Sequence, residues 1–216
     1  MRIYIDMDGV LAKWDTESKQ SDTHKRGYFL EREIDPFIKG VIEVLKEKRE
    51  DVAILTSVYQ NGYAEEEKRT WLNNAGLAEV EMIAVPYGHD KSAYIQHTDA
   101  VLLDDYSSNL HKWVRAGHKG VKYRNGINGT NGTWKGSTIN DNMSVESAAF
   151  FLSSGHLPKS EFVSKLAKFL FDHDINQDDL NELSLQYCRG KYRHGRPDDV
   201  NLVAQDLRKQ VAYELF

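Results

Sequence analysis

Two pairs of carboxylates close to apolar runs are the most reactive feature of this sequence. Asp6 and Asp8 come after a short β-prone run, and Asp104 and Asp105 come after another. Side chains alternate along an extended chain, so Asp6 and Asp8 can point the same way. Carboxylates held together repel each other, and a bound cation would relieve that repulsion. Taken alone, the first pair is also compatible with an acidic turn after an edge strand.

Two hydroxyl groups and a lysine extend this acidic set. Thr56 and Ser57 end a third apolar run, and Lys91 follows a glycine-containing turn close to a predicted helix start. Mg²⁺ prefers oxygen ligands, and hydroxyl and ammonium groups suit phosphoryl oxygens. Together these residues favour a site for a hard divalent cation and a phosphoryl group. The single cysteine and the scattered histidines offer no competing transition-metal cluster.

Strand-like and helix-like patterns alternate along the part of the chain that carries these groups. Apolar runs predict strands at 2–5, 51–57, 81–85, 100–103 and 120–123. Helices are predicted between them, at about 36–48, 63–74 and 109–116, with a short one ending near 97. This alternation predicts an α/β fold with a mostly parallel sheet. Because the carboxyl ends of parallel strands meet at one edge, the reactive residues should converge there.

The remaining segments predict a change of architecture along the chain. Ser107 or Ser108 should cap the helix after the fourth strand, and the Asn-Gly-rich stretch 125–136 should form a hairpin or loop. Ser144 should cap a helix reaching about 152. Three amphipathic segments then predict an all-helical extension, at 160–172, 177–188 and 197–215. We therefore expect an α/β core at 1–155 and a helical extension at 156–216.

Composition limits the classes of partner. The chain has 216 residues, a net charge of −5 and charges of both signs interspersed along it, which disfavours a nucleic-acid partner. Apolar runs are too short to span a bilayer, and the sequence does not start with a basic and apolar leader. A lone cysteine excludes an intrachain disulfide framework. These features lead us to expect a cytoplasmic protein with no membrane partner.

Four motifs together resemble the haloacid dehalogenase-like phosphohydrolases. They are DMDGV after the first strand, ILTS at the end of the second, the lysine at 91, and LLDD at the end of the fourth. The wider set, with GYF at 27–29 and Trp134, resembles the 5′(3′)-deoxyribonucleotidase group and its bacterial and phage relatives over about residues 1–140. The resemblance implies a three-layer α/β/α Rossmann-like fold with a very small cap insert, at about 13–34. It also implies phosphomonoester hydrolysis that depends on Mg²⁺.

The same resemblance implies a role for each residue. Asp6 would attack phosphorus and form an aspartyl-phosphate, and Asp8 would serve as general acid and then as general base. The metal would be held at Asp6, Asp8 (through its backbone carbonyl) and Asp105, with Asp104 close by, through water or by fixing Lys91. The phosphoryl oxygens would be bound by Thr56, Ser57 and Lys91.

Substrate and context stay open at this level. Pyrimidine deoxyribonucleoside monophosphates are the expected substrates, and Trp14, Tyr28 and Phe29 either stack on the base or anchor the insert. Another small phosphorylated metabolite is an alternative. A polynucleotide end-processing enzyme or phosphotransferase is a second, because the stretch 189–196 is basic. A regulatory module with a vestigial site is a third. The helical extension could supply a lid, a contact between two copies, or stability alone.

Overall fold

A six-stranded parallel sheet with helices packed around it forms the centre of the protein. The computed structural model describes residues 1–14, 16–19, 21–125, 132–173, 177–191 and 197–215. The strands are β1 (Arg2–Ile5), β2 (Val52–Val58), β3 (Glu81–Pro86), β4 (Ala100–Asp104), β5 (Lys119–Tyr123) and β6 (Thr138–Ile139). Their order is β3-β2-β1-β4-β5-β6, and every pair is parallel. This Rossmann-like α/β architecture confirms the predicted fold class.

Seven α-helices occur within the described residues. They are α1 (Pro36–Glu47), α2 (Ala64–Asn74), α3 (Ser107–Arg115), α4 (Val145–Ser154), α5 (Lys159–His173), α6 (Gln177–Lys191) and α7 (Pro197–Leu215). Short 3₁₀ turns lie at Asp22–His24, Tyr28–Glu31 and Lys91–Tyr94. α4 begins where predicted, because the Ser144 side chain accepts a hydrogen bond from the Ser147 N–H. None of the described helices is both long and apolar enough to cross a bilayer.

Strand register brings the predicted reactive ends to one edge of the sheet. Ile5, the last residue of β1, lies beside Ile54 of β2 and Leu103 of β4. The next residue, Asp6, donates its backbone N–H to the Leu103 carbonyl at 2.9 Å. β4 ends one residue beyond this level, and Thr56 and Ser57 of β2 lie two and three residues beyond Ile54. The motif side chains of three neighbouring strands therefore share this edge.

The predicted serine cap of α3 is wrong. α3 begins at Ser107, with Tyr106 at the N-cap and no side-chain cap, because Asp104 Oδ1 accepts the Tyr106 N–H at 2.7 Å and turns the chain first. Of the two structures predicted for 125–136, a hairpin or a loop, the parallel pairing of β5 and β6 excludes a hairpin that joins them. Within that stretch, residues 126–131 lie outside the described part of the chain.

The insert after β1 is closed at its base. Ala12 pairs with Ile34 in an antiparallel bridge, and the Lys13 N–H donates to the Glu33 carbonyl at 2.8 Å. These contacts join the two ends of the insert where it leaves and re-enters the core. The segment between them contains the first two 3₁₀ turns, with Tyr28 and Phe29 buried in the second.

The helical extension shares its apolar core with the α/β unit. One continuous cluster of buried side chains includes residues of β1, α1 and α4 together with residues of α5, α6 and α7. The rings of Phe150 (α4) and Phe169 (α5) stack at 4.5 Å, and those of Phe162 (α5) and Tyr187 (α6) stack at 4.1 Å. Removing the extension would therefore expose a large apolar surface on α4.

Gln186 links the extension to the sheet, and its loss should destabilise the fold. This fully buried side chain accepts the Thr138 N–H of edge strand β6 at 2.7 Å. Gln186→Ala leaves that buried N–H unpaired, so we expect the free energy of unfolding to fall by about 1 to 3 kcal/mol. Urea denaturation measures the change. Gln177→Ala, at the exposed start of α6, is the control, and equal stability of the two variants would contradict this role.

Candidate active site

A buried ion-pair cluster forms the floor of the site at the carboxyl edge of the sheet. Lys91 is 4 % exposed, and its ammonium lies 2.8 Å from Asp6 Oδ1 and 2.8 Å from Asp104 Oδ2. The Asp90 side chain caps the 3₁₀ turn that carries Lys91, which places the lysine beneath the ends of β1 and β4. The sequence prediction that these three residues converge agrees with this geometry.

Asp104 is oriented by three donors. Besides Lys91, the Asn109 side chain donates to Asp104 Oδ2 at 2.9 Å, and the Tyr106 N–H donates to Oδ1 at 2.7 Å. Both carboxylate oxygens are therefore engaged by the protein. Of the two roles predicted for Asp104, these contacts favour fixing Lys91.

Burial and neighbouring charges both shift the pKa values of Asp6 and Lys91. Burial raises the pKa of Asp6 well above its ordinary value, with Lys91 opposing the shift and Asp104, Asp8 and Asp105 adding to it. Burial also disfavours the charge on Lys91, but attraction from Asp104 and Asp6 outweighs it and raises the pKa of Lys91. The two carboxylates therefore favour the charged form of Lys91, and Asp6 lies among more negative charge than Lys91 alone can balance.

The oxygen atoms at the floor fit a hard divalent cation. One carboxylate oxygen from each of Asp6, Asp104 and Asp105 lies within 4.8 Å of the others. Oxygen-only donors with excess negative charge suit Mg²⁺ better than metals that prefer nitrogen or sulfur. Gly9 helps shape this group, since it has φ of +78° and a Cβ there would overlap Asp105 Oδ2. The side chain of Asp8 lies outside this set of three.

Asp8 is held by Lys68, a residue that sequence reasoning missed. Lys68, on α2, is fully buried and donates to the Asp8 carboxylate. It also donates to Thr56 Oγ1 and to the Ser57 carbonyl, both at 2.8 Å. Thr56 is fully buried, and Ser57 lines the cavity above the floor. One cation thus contacts the predicted acid, Asp8, the hydroxyl of Thr56 and the backbone of Ser57.

A cavity of about 470 Å³ opens above these groups and is large enough for a small organic ligand. Its lining includes Asp6, Asp8, Ser57 and Asp105, and Lys112 of α3 also lines it. Its aromatic wall consists of Trp14, Phe29, Tyr59, Tyr87 and Tyr106. The described residues that line the cavity all fall between 6 and 112, so those of the helical extension do not contribute to it.

Only two of the three residues predicted to stack on a base line the cavity. Trp14 and Phe29 line the cavity, whereas Tyr28 does not and is 7 % exposed. Tyr28 packs edge-on against Phe29 at 5.2 Å and lies under the Arg32 guanidinium at 4.3 Å. These contacts favour the anchoring role for Tyr28.

Three aromatic residues of the cavity were not predicted from the sequence. Tyr59 follows β2, Tyr87 follows β3, and Tyr106 lies just beyond β4. Tyr87 and Tyr106 are exposed, at 56 % and 61 %. Their position just after strand ends could have identified them from the sequence, since such residues lie at the carboxyl edge of the sheet.

A second cleft, of about 370 Å³, lies at the opposite end of the strands. Val101, Lys119, His156 and Lys191 are among its lining residues, and it contains no carboxylate side chain among those described. It therefore lacks acidic side chains like those at the carboxyl edge of the sheet. The basic stretch predicted at 189–196 begins here, and its residues 192–196 lie outside the described part of the chain.

Comparison with known proteins does not assign a family. No family model matches the chain. No curated protein matches it significantly either. The four motifs and the geometry of the cavity are therefore the features that bear on function.

Proposed function

We propose that the protein is a Mg²⁺-dependent phosphomonoester hydrolase that acts on nucleoside monophosphates through an aspartyl-phosphate. The observation that carries the proposal is the position of Asp6. Its carboxylate lies at the floor of a ligand-sized cavity, beside the buried cation Lys91 and a second carboxylate, Asp105. A nucleophile, charge-stabilising groups and an oxygen-rich cation site at one point are the requirements of phosphoryl transfer.

The reaction divides between Asp6 and Asp8. An oxygen of Asp6 attacks phosphorus, and the bond from phosphorus to the ester oxygen breaks. Asp8 gives a proton to the departing oxygen. Asp8 then takes a proton from the water that attacks the aspartyl-phosphate, which releases inorganic phosphate and regenerates the Asp6 carboxylate. Lys91 and the Ser57 hydroxyl stabilise the charge on the phosphoryl oxygens in both steps.

Asp6 and Asp105 would hold the metal, with the backbone carbonyl of Asp8. When bound, Mg²⁺ neutralises charge and permits an anionic nucleophile to approach an anionic phosphate. Asp104 supports the site through Lys91, whose position it fixes. The excess of carboxylates over cations at the floor is the physical reason for expecting this cation.

The walls of the cavity support an aromatic substrate body. Trp14, Tyr59, Tyr87 and Tyr106 surround the space beyond the reacting groups. Tyr59 and Tyr87 already pack with ring centroids 4.5 Å apart, so they form a continuous aromatic surface. Such surfaces stack on planar bases, which favours a nucleoside over a purely aliphatic leaving group.

Phosphate release from a panel of esters tests this function. We expect Mg²⁺-dependent release from deoxyribonucleoside monophosphates, faster than release from sugar phosphates, with activity lost in EDTA and restored by excess Mg²⁺. Release only from the ends of phosphorylated oligonucleotides would instead support polynucleotide end processing. Absence of release from every ester would contradict the proposal.

A further inference from the structure

One face of α2 supports the insert. The Tyr63 hydroxyl donates to the His24 carbonyl, Glu67 accepts the Gly27 N–H at 2.6 Å, and the Trp71 indole donates to the Arg32 carbonyl at 2.7 Å. Tyr63, the N-cap residue of α2, and the helical residues Glu67 and Trp71 recur every four positions, so they lie on one side of the helix. The insert is therefore fixed to α2 between His24 and Arg32.

Lys68 extends this support into the reaction centre. It lies next to Glu67, and the Phe29 ring of the insert covers its ammonium at 4.6 Å. The three N–H bonds of that ammonium match its three acceptors, which are the Asp8 carboxylate, Thr56 Oγ1 and the Ser57 carbonyl. A fully buried lysine with every donor engaged cannot move without breaking several of these bonds.

Asp8 depends on this lysine for its orientation. Its side chain is 25 % exposed and projects from the loop after β1 beside the cavity. A carboxylate there has several rotamers open to it, and only those near Lys68 keep the ion pair. Lys68 also contacts the Phe29 ring of the insert. The same side chain therefore influences both the packing of Phe29 and the orientation of the Asp8 carboxylate.

We propose that Lys68 is a positioning residue that holds Asp8 towards the leaving group and ties that orientation to the seating of the insert. The proposal rests on the proposed hydrolase function. It assigns Lys68 a part distinct from that of Lys91, which contacts Asp6 and Asp104 at the floor. Lys68 acts through Asp8, so its effect should be greatest where Asp8 is needed most.

The kinetic test compares leaving groups. Lys68→Gln should lower kcat/KM for an alkyl phosphate by about tenfold or more, with little change in kcat/KM for p-nitrophenyl phosphate, whose leaving group needs no proton. The comparison uses kcat/KM because this constant covers the steps up to departure of the leaving group and excludes the later attack of water, in which Asp8 acts with both esters. In an Asp8→Asn background, Lys68→Gln should cause no further loss with either ester. Arg69→Gln, at the exposed neighbour that pairs with Glu65, is the matched control and should behave as wild type. Equal slowing with both esters, or additive losses in the double variant, would overturn the proposal.

Hydrogen exchange tests the same proposal without activity. Lys68→Gln should speed exchange of the backbone amides at 8–11 and at 27–30, while those of β2 keep their protection. Lys68→Met is the second variant if the glutamine form fails to fold. Unchanged exchange at 8–11 would overturn the positioning role even if the protein hydrolyses no ester. Conversely, if the wild type hydrolyses no ester but the variant shows the expected exchange pattern, the hydrolase function would be contradicted. The role of Lys68 in orienting Asp8 and contacting the insert would still be supported.

Discussion

Asp6→Asn should lower phosphate release by about a thousandfold or more while the protein stays folded. The amide is nearly the same size as the carboxylate but cannot attack phosphorus to form an acyl phosphate. Folding should tolerate the change because burial and three neighbouring carboxylates raise the pKa of Asp6, so the fold already disfavours its charge. Lys91 keeps its second partner, Asp104, in the variant.

Steady-state phosphate release and urea denaturation, run on the same preparations, separate these two effects. Asp172→Asn, on the exposed surface of α5, is the control for loss of a carboxylate elsewhere. We expect the control to match wild type in both assays. Hydrolysis by Asp6→Asn within about tenfold of wild type would exclude Asp6 as the nucleophile.

Lys91→Met should lower both activity and stability. Removing the ammonium leaves Asp6 and Asp104 buried beside each other without their cation, and breaking a buried ion pair in this way costs about 3 to 5 kcal/mol of unfolding free energy. Activity should fall below detection because the phosphoryl oxygens lose a fixed positive charge. Urea denaturation in EDTA measures the first effect, and phosphate release in Mg²⁺ measures the second.

A double variant separates the structural and chemical roles of Lys91. Asn at position 104 accepts the Tyr106 N–H as Asp104 does, but carries no charge, so Lys91→Met with Asp104→Asn should regain part of the lost stability. Hydrolysis should not return with it. A double variant that recovers turnover along with stability would show that Lys91 only neutralises Asp104.

The strand ends were predictable from the sequence because their signal is local. Asp6, Thr56 and Asp104 each follow an apolar run, and the parallel-sheet rule then brings them to one edge. The short strand β6 was not predictable, because two residues after an Asn-Gly-rich stretch carry no periodic pattern. The start of α3 was misplaced for a local reason, since the Asp104 side chain accepts the Tyr106 N–H two residues further on and turns the chain before either serine could cap the helix.

Lys68 shows why part of the site could not be predicted. It follows three glutamates at the start of α2, where a lysine is usually a solvated side chain. Only the packing of α2 against β2 and the insert buries it beside Asp8. The different positions of Tyr28 and Phe29 were not predictable either. Neighbouring residues in a 3₁₀ turn point in directions about 120° apart, and of these two only Phe29 lines the cavity.

The most direct test of the account is to trap the covalent intermediate. Wild-type protein is acid-quenched during turnover of a deoxyribonucleoside monophosphate and reduced with borohydride, which converts an acyl phosphate on aspartate to homoserine. Mass spectrometry of the tryptic peptide from Ile3 to Lys13, which contains both Asp6 and Asp8, then locates the change. We expect homoserine at position 6 alone and none in the Asp6→Asn variant. Homoserine at position 8, or none at either position under quench conditions that preserve acyl phosphates, would contradict it.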